Sequence, residues 1–148
     1  MPQATDRERH LRQAGLIFAV GSAIHVTDHL RRGQGSISDL LYAGGNLALV
    51  LQVVTITLIL TRHRLAPWMA IATGFSLAIG FTAAHWLPQW SELSDPVWEI
   101  RTSTWFSYLA SGTEIFGALC VGLAGLAVVR AATAPAGSLT GVQTGGTP

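Results

Sequence analysis

One short segment of the chain carries three ionisable side chains at helical spacing: His25, Asp28 and His29. Residues three and four positions apart share a face of an α-helix, so a helix here would point all three in the same direction. Two imidazoles at i and i+4 suit coordination of one metal ion, and a nearby carboxylate can add a third ligand. The pattern is a weak motif by itself, and its meaning depends on what the fold brings next to it.

Further ionisable residues lie inside apolar runs, which is where their burial is expensive. A charged residue within a membrane helix costs at least a few kcal/mol, so it normally faces the protein interior and has a partner there. Glu114 is flanked by Ile115, Phe116 and a long apolar run, and is the clearest example. The sequence therefore predicts a metal site built from His25, Asp28, His29, His85 and Glu114, with Asn46 and Ser111 as supporting residues around it.

The composition is that of a membrane protein. Of the 148 residues 49% are hydrophobic and 11% are charged, whereas a soluble domain carries roughly a quarter charged residues. The formal net charge of +1 provides no basic field to attract nucleic acid. The single cysteine, Cys120, excludes an intrachain disulfide and a metal site of several cysteines.

Four apolar runs predict an all-α, integral membrane four-helix bundle with antiparallel, up-down topology. The predicted helices cover about 13–30, 39–61, 67–87 and 104–130. We expect residues 1–12 to form a cytoplasmic polar leader and residues 131–148 a disordered tail, because the tail is rich in Gly, Thr, Ala and Pro. A run of 22 residues such as 40–61 would extend about 33 Å, enough to cross a bilayer core.

Turn and cap residues separate these runs. Ser36 or Ser38 can cap the second helix, and Pro67 suits the first turn of the third. The first run could also be read as a cleaved signal peptide, since basic residues precede it. We prefer a retained helix, because the helical pattern continues through His29.

Antiparallel connectivity places the chemistry at one end of the bundle. The ends of helices one and three and the starts of helices two and four share a side of the membrane, whichever way the protein is inserted. His25, His85, Asn46 and Glu114 are therefore expected in the same half, and Gln52 in the other. Small residues on helix three at four-residue spacing, such as Ala70 and Gly74, predict close helix packing.

Residues 89–104 form the one long polar connection. Its tryptophans and acids predict a segment at the membrane surface, with a short helix after Asp95 as one possibility and Asp95 itself in solvent. Arginine counting gives the orientation: six arginines on the side of the termini against three on the other favour both termini in the cytoplasm of a multi-pass protein in the cell membrane.

The sequence favours binding of a metal or other cation as the function. Nitrogen and oxygen ligands would suit zinc, copper, iron or nickel better than calcium. Haem held by two of the histidines is a less favoured sub-case. The partners expected are the lipid bilayer and either a second copy of the chain or a larger membrane complex.

Three other readings stay open at this level. An intramembrane acid–base enzyme acting on a lipid or isoprenoid would need a lipid-sized cavity that ends at Glu114. A transporter or accessory subunit without its own ligand would need an oligomer, because four helices are few. In a purely structural bundle, Asp28 would pair with Arg31 or Arg32, and Glu114 would hydrogen-bond to serines or Asn46.

Overall fold

The computed structural model describes residues 2–33 and 37–134, with side chains from Asp6 onward. These ranges contain four α-helices and no strand: α1 (Pro2–Arg32), α2 (Asp39–Leu60), α3 (Ala66–Trp86) and α4 (Trp105–Thr133). Ser36 and the predicted disordered tail beyond residue 134 lie outside the described residues.

α1 begins at Pro2 and not near residue 13, so the polar leader belongs to the same helix as the apolar run that follows it. After Pro2 this segment contains no further proline, and the helix has no reason to break before its C-terminus. It ends at Gly33, whose φ of +83° is a conformation that glycine adopts without strain.

Local capping explains where the other helices begin. The Ser38 hydroxyl accepts a hydrogen bond of 3.1 Å from the backbone N–H of Leu41, as predicted for the start of α2. Pro67 lies in the first turn of α3. Thr104 and Ser107 form a reciprocal capping box at the start of α4.

α1 and α4 pack closely and run in opposite directions. A Cβ added at Gly21 would lie 2.7 Å from the carbonyl oxygen of Thr113, and one added at Gly117 would lie 2.8 Å from Cα of Phe18. Backbones that approach this closely leave room for glycine alone. Nearer the other end of the pair, Arg7 donates to the carbonyl oxygen of Ala127, 2.8 Å away.

α3 also packs on α4 through a glycine that lets the two backbones approach closely. A Cβ at Gly74 would lie 2.6 Å from the carbonyl oxygen of Ala118 and from the backbone nitrogen of Gly122. α2 makes fewer contacts with its neighbours. Its buried contacts include a 2.9 Å hydrogen bond from Thr55 to Thr73, and this looser packing of α2 leaves space beside it.

Three helices, α2, α3 and α4, are long and apolar enough to cross a membrane. α1 is not among them, because its charged N-terminal turns and its polar residues His25, Asp28 and His29 lower its hydropathy. Asp28 is nevertheless buried with 3% of its surface exposed, and His25 with 8%. His25 and Asp28 of α1 therefore face protein.

The connection between α3 and α4 folds back over the end of the helices. Within it the described residues form turns, with no helix after Asp95. The backbone N–H of Asp95 donates to the carbonyl oxygen of Ala84 and that of Val97 to His85. Asp95 is 6% exposed and Val97 2%, so the prediction that Asp95 lies in solvent was wrong.

Candidate metal centre

Three imidazoles meet where α1 and α3 approach the α3–α4 connection. His25 and His29 lie one turn apart on α1, and His85 lies in the last turn of α3. Each offers one ring nitrogen such that the three atoms lie within 4.8 Å of one another. Nε2 of His25 and Nε2 of His29 are 2.9 Å apart, somewhat closer than the roughly 3.3 Å expected for two nitrogens on a tetrahedral zinc ion.

The orientation of His85 is set by the connection. Its Nδ1 lies 3.0 Å from the main-chain carbonyl oxygen of Asp95. Because a carbonyl oxygen only accepts hydrogen bonds, Nδ1 carries the ring proton and Nε2 keeps its lone pair. An imidazole held by such a bond is oriented for coordination of a metal through its other nitrogen.

His25 has a carboxyl group behind it. Its Nδ1 lies 3.1 Å from Oε2 of Glu114, a residue with 1% of its surface exposed. Gln52 donates a 2.7 Å hydrogen bond to the other carboxyl oxygen of Glu114. This 3.1 Å approach lacks the geometry of a hydrogen bond, and Nε2 of His25 faces His29 on the other side of the ring.

His29 differs from the other two histidines. Its Nδ1 lies 3.2 Å from a terminal nitrogen of Arg32. Since a guanidinium only donates, Nδ1 of His29 accepts, and its proton is on Nε2, facing His25. Coordination of a metal through Nε2 would require this proton to move to Nδ1 or the ring to turn, and either change ends the contact with Arg32.

Arg32 is the centre of a buried ion cluster beside the histidines. Its side chain is 2% exposed, and its nitrogens lie 3.0 Å from Oδ2 of Asp95 and 3.0 Å from Oδ2 of Asp28. Arg31 also donates to Asp28 at 2.8 Å, and Ser107 at 3.1 Å. This cluster fastens the α3–α4 connection to the end of α1.

Asp28 is thereby placed differently from its predicted role as a metal ligand. Its carboxylate is occupied by Arg31 and Arg32, because residues at i+3 and i+4 on a helix reach it directly. Asp28 thus pairs with Arg31 and Arg32, as expected if the bundle were purely structural. Asp28 supports the histidines through Arg32, which contacts both Asp28 and His29.

The two supporting residues chosen from the sequence also have other partners. Asn46 is exposed, and its amide donates to the carbonyl oxygen of Tyr42. Ser111 is buried and accepts a hydrogen bond from the indole of Trp86 at 3.2 Å. Neither residue contacts an imidazole in the hydrogen bonds found among the described residues.

Three residues of the site were missed in the sequence. Gln52 was expected in the other half of the membrane, yet its long side chain reaches Glu114. Asp95 was predicted in solvent, and Arg32 was considered only as a partner of Asp28, whereas the two pair with each other in the structure. The one available signal was the isolated amide of Gln52 in an apolar helix, because a buried amide needs a polar partner.

A cavity of about 520 Å³ adjoins the histidines. It lies between α1, α2 and α3 and reaches Glu114 of α4. The volume is within the range of pockets that enclose a small molecule. Its lining contains His25, His29 and His85 together with Gln52, so the candidate metal centre faces this space.

No protein-family model matches the chain, and no curated protein and no solved structure shows significant similarity to it.

Proposed function

We propose that this chain is an integral membrane four-helix bundle, antiparallel and up-down, that binds a transition metal ion through His25, His29 and His85. The observation that carries the proposal is the approach of three imidazole nitrogens to within 4.8 Å of one another. His25 and His85 are both buried, and burial of polar ring nitrogens costs free energy unless a hydrogen bond or a metal ion compensates for it.

α1 is the fourth membrane span in this proposal. Three helices satisfy length and hydropathy without it. The histidines and Asp28 of α1 face α3, α4 and the connection, so lipid would meet its apolar residues, among them Leu16 and Val20. An ionisable residue facing the protein interior is the arrangement that a membrane helix tolerates.

A set of three imidazoles favours zinc, copper, iron or nickel over magnesium or calcium, which prefer oxygen ligands. Glu114 lies behind His25, 3.1 Å from Nδ1 of that ring, and is not itself counted as a ligand. The 2.9 Å between Nε2 of His25 and Nε2 of His29 leaves no room for a porphyrin between these rings, which favours an ion over haem. Three ligands leave a coordination position for another molecule.

The other functional readings remain predictions. Acid–base catalysis on a lipid would use the same Glu114, and the nearby cavity is compatible with it. A transporter or accessory role depends on a second copy of the chain or a larger complex.

Elemental analysis of the detergent-purified protein tests the metal proposal. We expect about one transition metal per chain in the wild type, retained in His63→Ala and lost in His85→Ala and in the double variant His25→Ala, His29→Ala. His63 is a matched control because it lies in the turn between α2 and α3, where it accepts from the backbone of Leu65.

Wild-type protein that is free of metal and cannot be loaded with zinc, copper, iron or nickel would refute the proposal. Metal retained by the triple variant lacking His25, His29 and His85 would refute it as well.

A further inference from the structure

Among the helical glycines that the structure describes, two sets differ in what an added side chain would meet. At Gly21, Gly74 and Gly117 an added Cβ would lie within 2.8 Å of a neighbouring helix backbone. At Gly45 and Gly80 it would meet nothing within 4 Å. Helix packing requires glycine in the first group and does not require it in the second.

Gly45 on α2 and Gly80 on α3 both line the cavity, and so does Gly44, where a Cβ would make only ordinary contact with Leu93 at 3.8 Å. Glycine costs about 1 kcal/mol relative to alanine at each interior helix position. At these positions glycine destabilises the helix and leaves open space in the wall of the cavity. The glycines widen the cavity between α2 and α3.

The cavity is apolar along most of its length and polar at its deep end. On α2 its lining runs from Leu41 to Gln52, about 16 Å along the helix axis. Apolar lining residues include Leu49 of α2 and Leu77 and Phe81 of α3. The polar side chains of Gln52 and Glu114, each at most 2% exposed, meet at the inner end.

Two buried oxygens at that end accept no hydrogen bond in the part of the chain that the structure describes: Oε1 of Gln52 and Oε2 of Glu114. Gln52 donates its amide N–H to Glu114, but its carbonyl oxygen Oε1 accepts no hydrogen bond from described residues. A buried amide carbonyl without a donor is costly and uncommon in folded proteins. A ligand with an O–H at its polar end would supply that donor.

We propose that this cavity binds a single-chain lipophilic alcohol, with its hydroxyl at Gln52 and its hydrocarbon chain between α2 and α3. The apolar walls and the length of the cavity fit one extended chain. The acid of Glu114 beside the hydroxyl position disfavours a fatty acid, whose carboxylate would lie next to it. This binding does not depend on the metal, although the hydroxyl end would lie close to the histidines.

The proposal is tested by photolabelling of the full chain in phosphatidylcholine nanodiscs. The probe is a hexadecanol analogue that carries a photoreactive diazirine in its chain and a terminal alkyne for detection. Peptide mapping should place adducts on the cavity-facing positions of α2 and α3. Excess unlabelled hexadecanol should suppress these adducts, and palmitate should do so much less.

Gly80→Leu and Gly45→Leu fill the cavity from opposite walls and should reduce labelling about tenfold or more. Gly112→Leu is the matched control, because Gly112 also has nothing within 4 Å of an added Cβ and does not line the cavity. It should label like the wild type. Elution as a single species and the unfolding transition followed by tryptophan fluorescence should be unchanged in all three variants, which shows that they fold.

Equal labelling of Gly80→Leu, Gly112→Leu and wild type would overturn the proposal, as would adducts spread over outward residues such as Ile79. Equal suppression by palmitate would overturn the assignment of an alcohol. Failure of the metal proposal would appear in elemental analysis and leave cavity labelling intact, so the two failures are distinguishable.

Discussion

The side-chain amide of Gln52 donates a 2.7 Å hydrogen bond to Glu114 across the inner end of the cavity, and so connects α2 with α4. Few other contacts join these two helices. The bond holds one carboxyl oxygen of Glu114 while the other lies 3.1 Å from Nδ1 of His25. Gln52 therefore fixes the acid, and the second oxygen of Glu114 lies beside the imidazole without a hydrogen bond to it.

Replacement of Glu114 tests this relationship. Glu114→Gln keeps the size of the side chain and removes the negative charge behind His25, so we expect metal affinity to fall about 10- to 100-fold. The measurement is competition with a chelator of known affinity. Ser111→Ala removes a buried hydroxyl that contacts Trp86 and no imidazole, and should leave affinity unchanged. Equal affinity of Glu114→Gln and wild type would contradict a positioning role.

The ion cluster of Arg32 makes a prediction about stability. Arg32→Ala leaves Asp95 buried without its cation, and loss of one member of a buried pair costs about 3–5 kcal/mol. Arg31 has 38% of its side chain exposed, so Arg31→Ala should cost at most about 1 kcal/mol. Unfolding in mixed micelles followed by tryptophan fluorescence measures both. Similar losses for the two variants would show that the cluster is weak.

The packing glycines predict opposite effects of one substitution at two places on α3. Gly74→Ala puts a Cβ 2.6 Å from backbone atoms of α4 and should lower the free energy of unfolding by about 1–3 kcal/mol. Gly80→Ala meets nothing within 4 Å and should be neutral, or stabilising by up to about 1 kcal/mol. The same unfolding measurement separates them. A destabilised Gly80→Ala would mean that the space beside it closes in the membrane.

Arginine counting predicts cytoplasmic termini, and labelling of single cysteines in intact cells measures this. In a Cys120→Ser background, an impermeant maleimide should label Glu92→Cys in the α3–α4 connection. It should not label Glu8→Cys near the N-terminus or Arg62→Cys after α2, which become reactive once the cells are opened. The reverse pattern would invert the topology and leave the site unchanged, because all its residues share one end of the bundle.

The identity of the helices could be read from the sequence because apolar runs, cap residues and prolines act locally. Ser38 and Pro67 mark helix starts in the structure as they do in the sequence. Antiparallel connectivity predicts that the C-terminal ends of α1 and α3 lie at the same level, and the structure brings the rings of His25 and His85 to a centroid distance of 5.0 Å there. The sequence could not show which rings would touch.

What the sequence by itself determined is an all-helical chain with membrane-length spans, and it predicted that the ionisable residues within the apolar runs lie at one end. Only the tertiary structure decided the distant partners: Gln52 reaches Glu114, and the connection buries Asp95 against Arg32. The physical reason is the separation in sequence between the residues that interact. Helix formation and hydropathy depend on neighbours within a few residues, whereas these contacts join side chains 60 or more positions apart and depend on how closely glycine lets the helices approach.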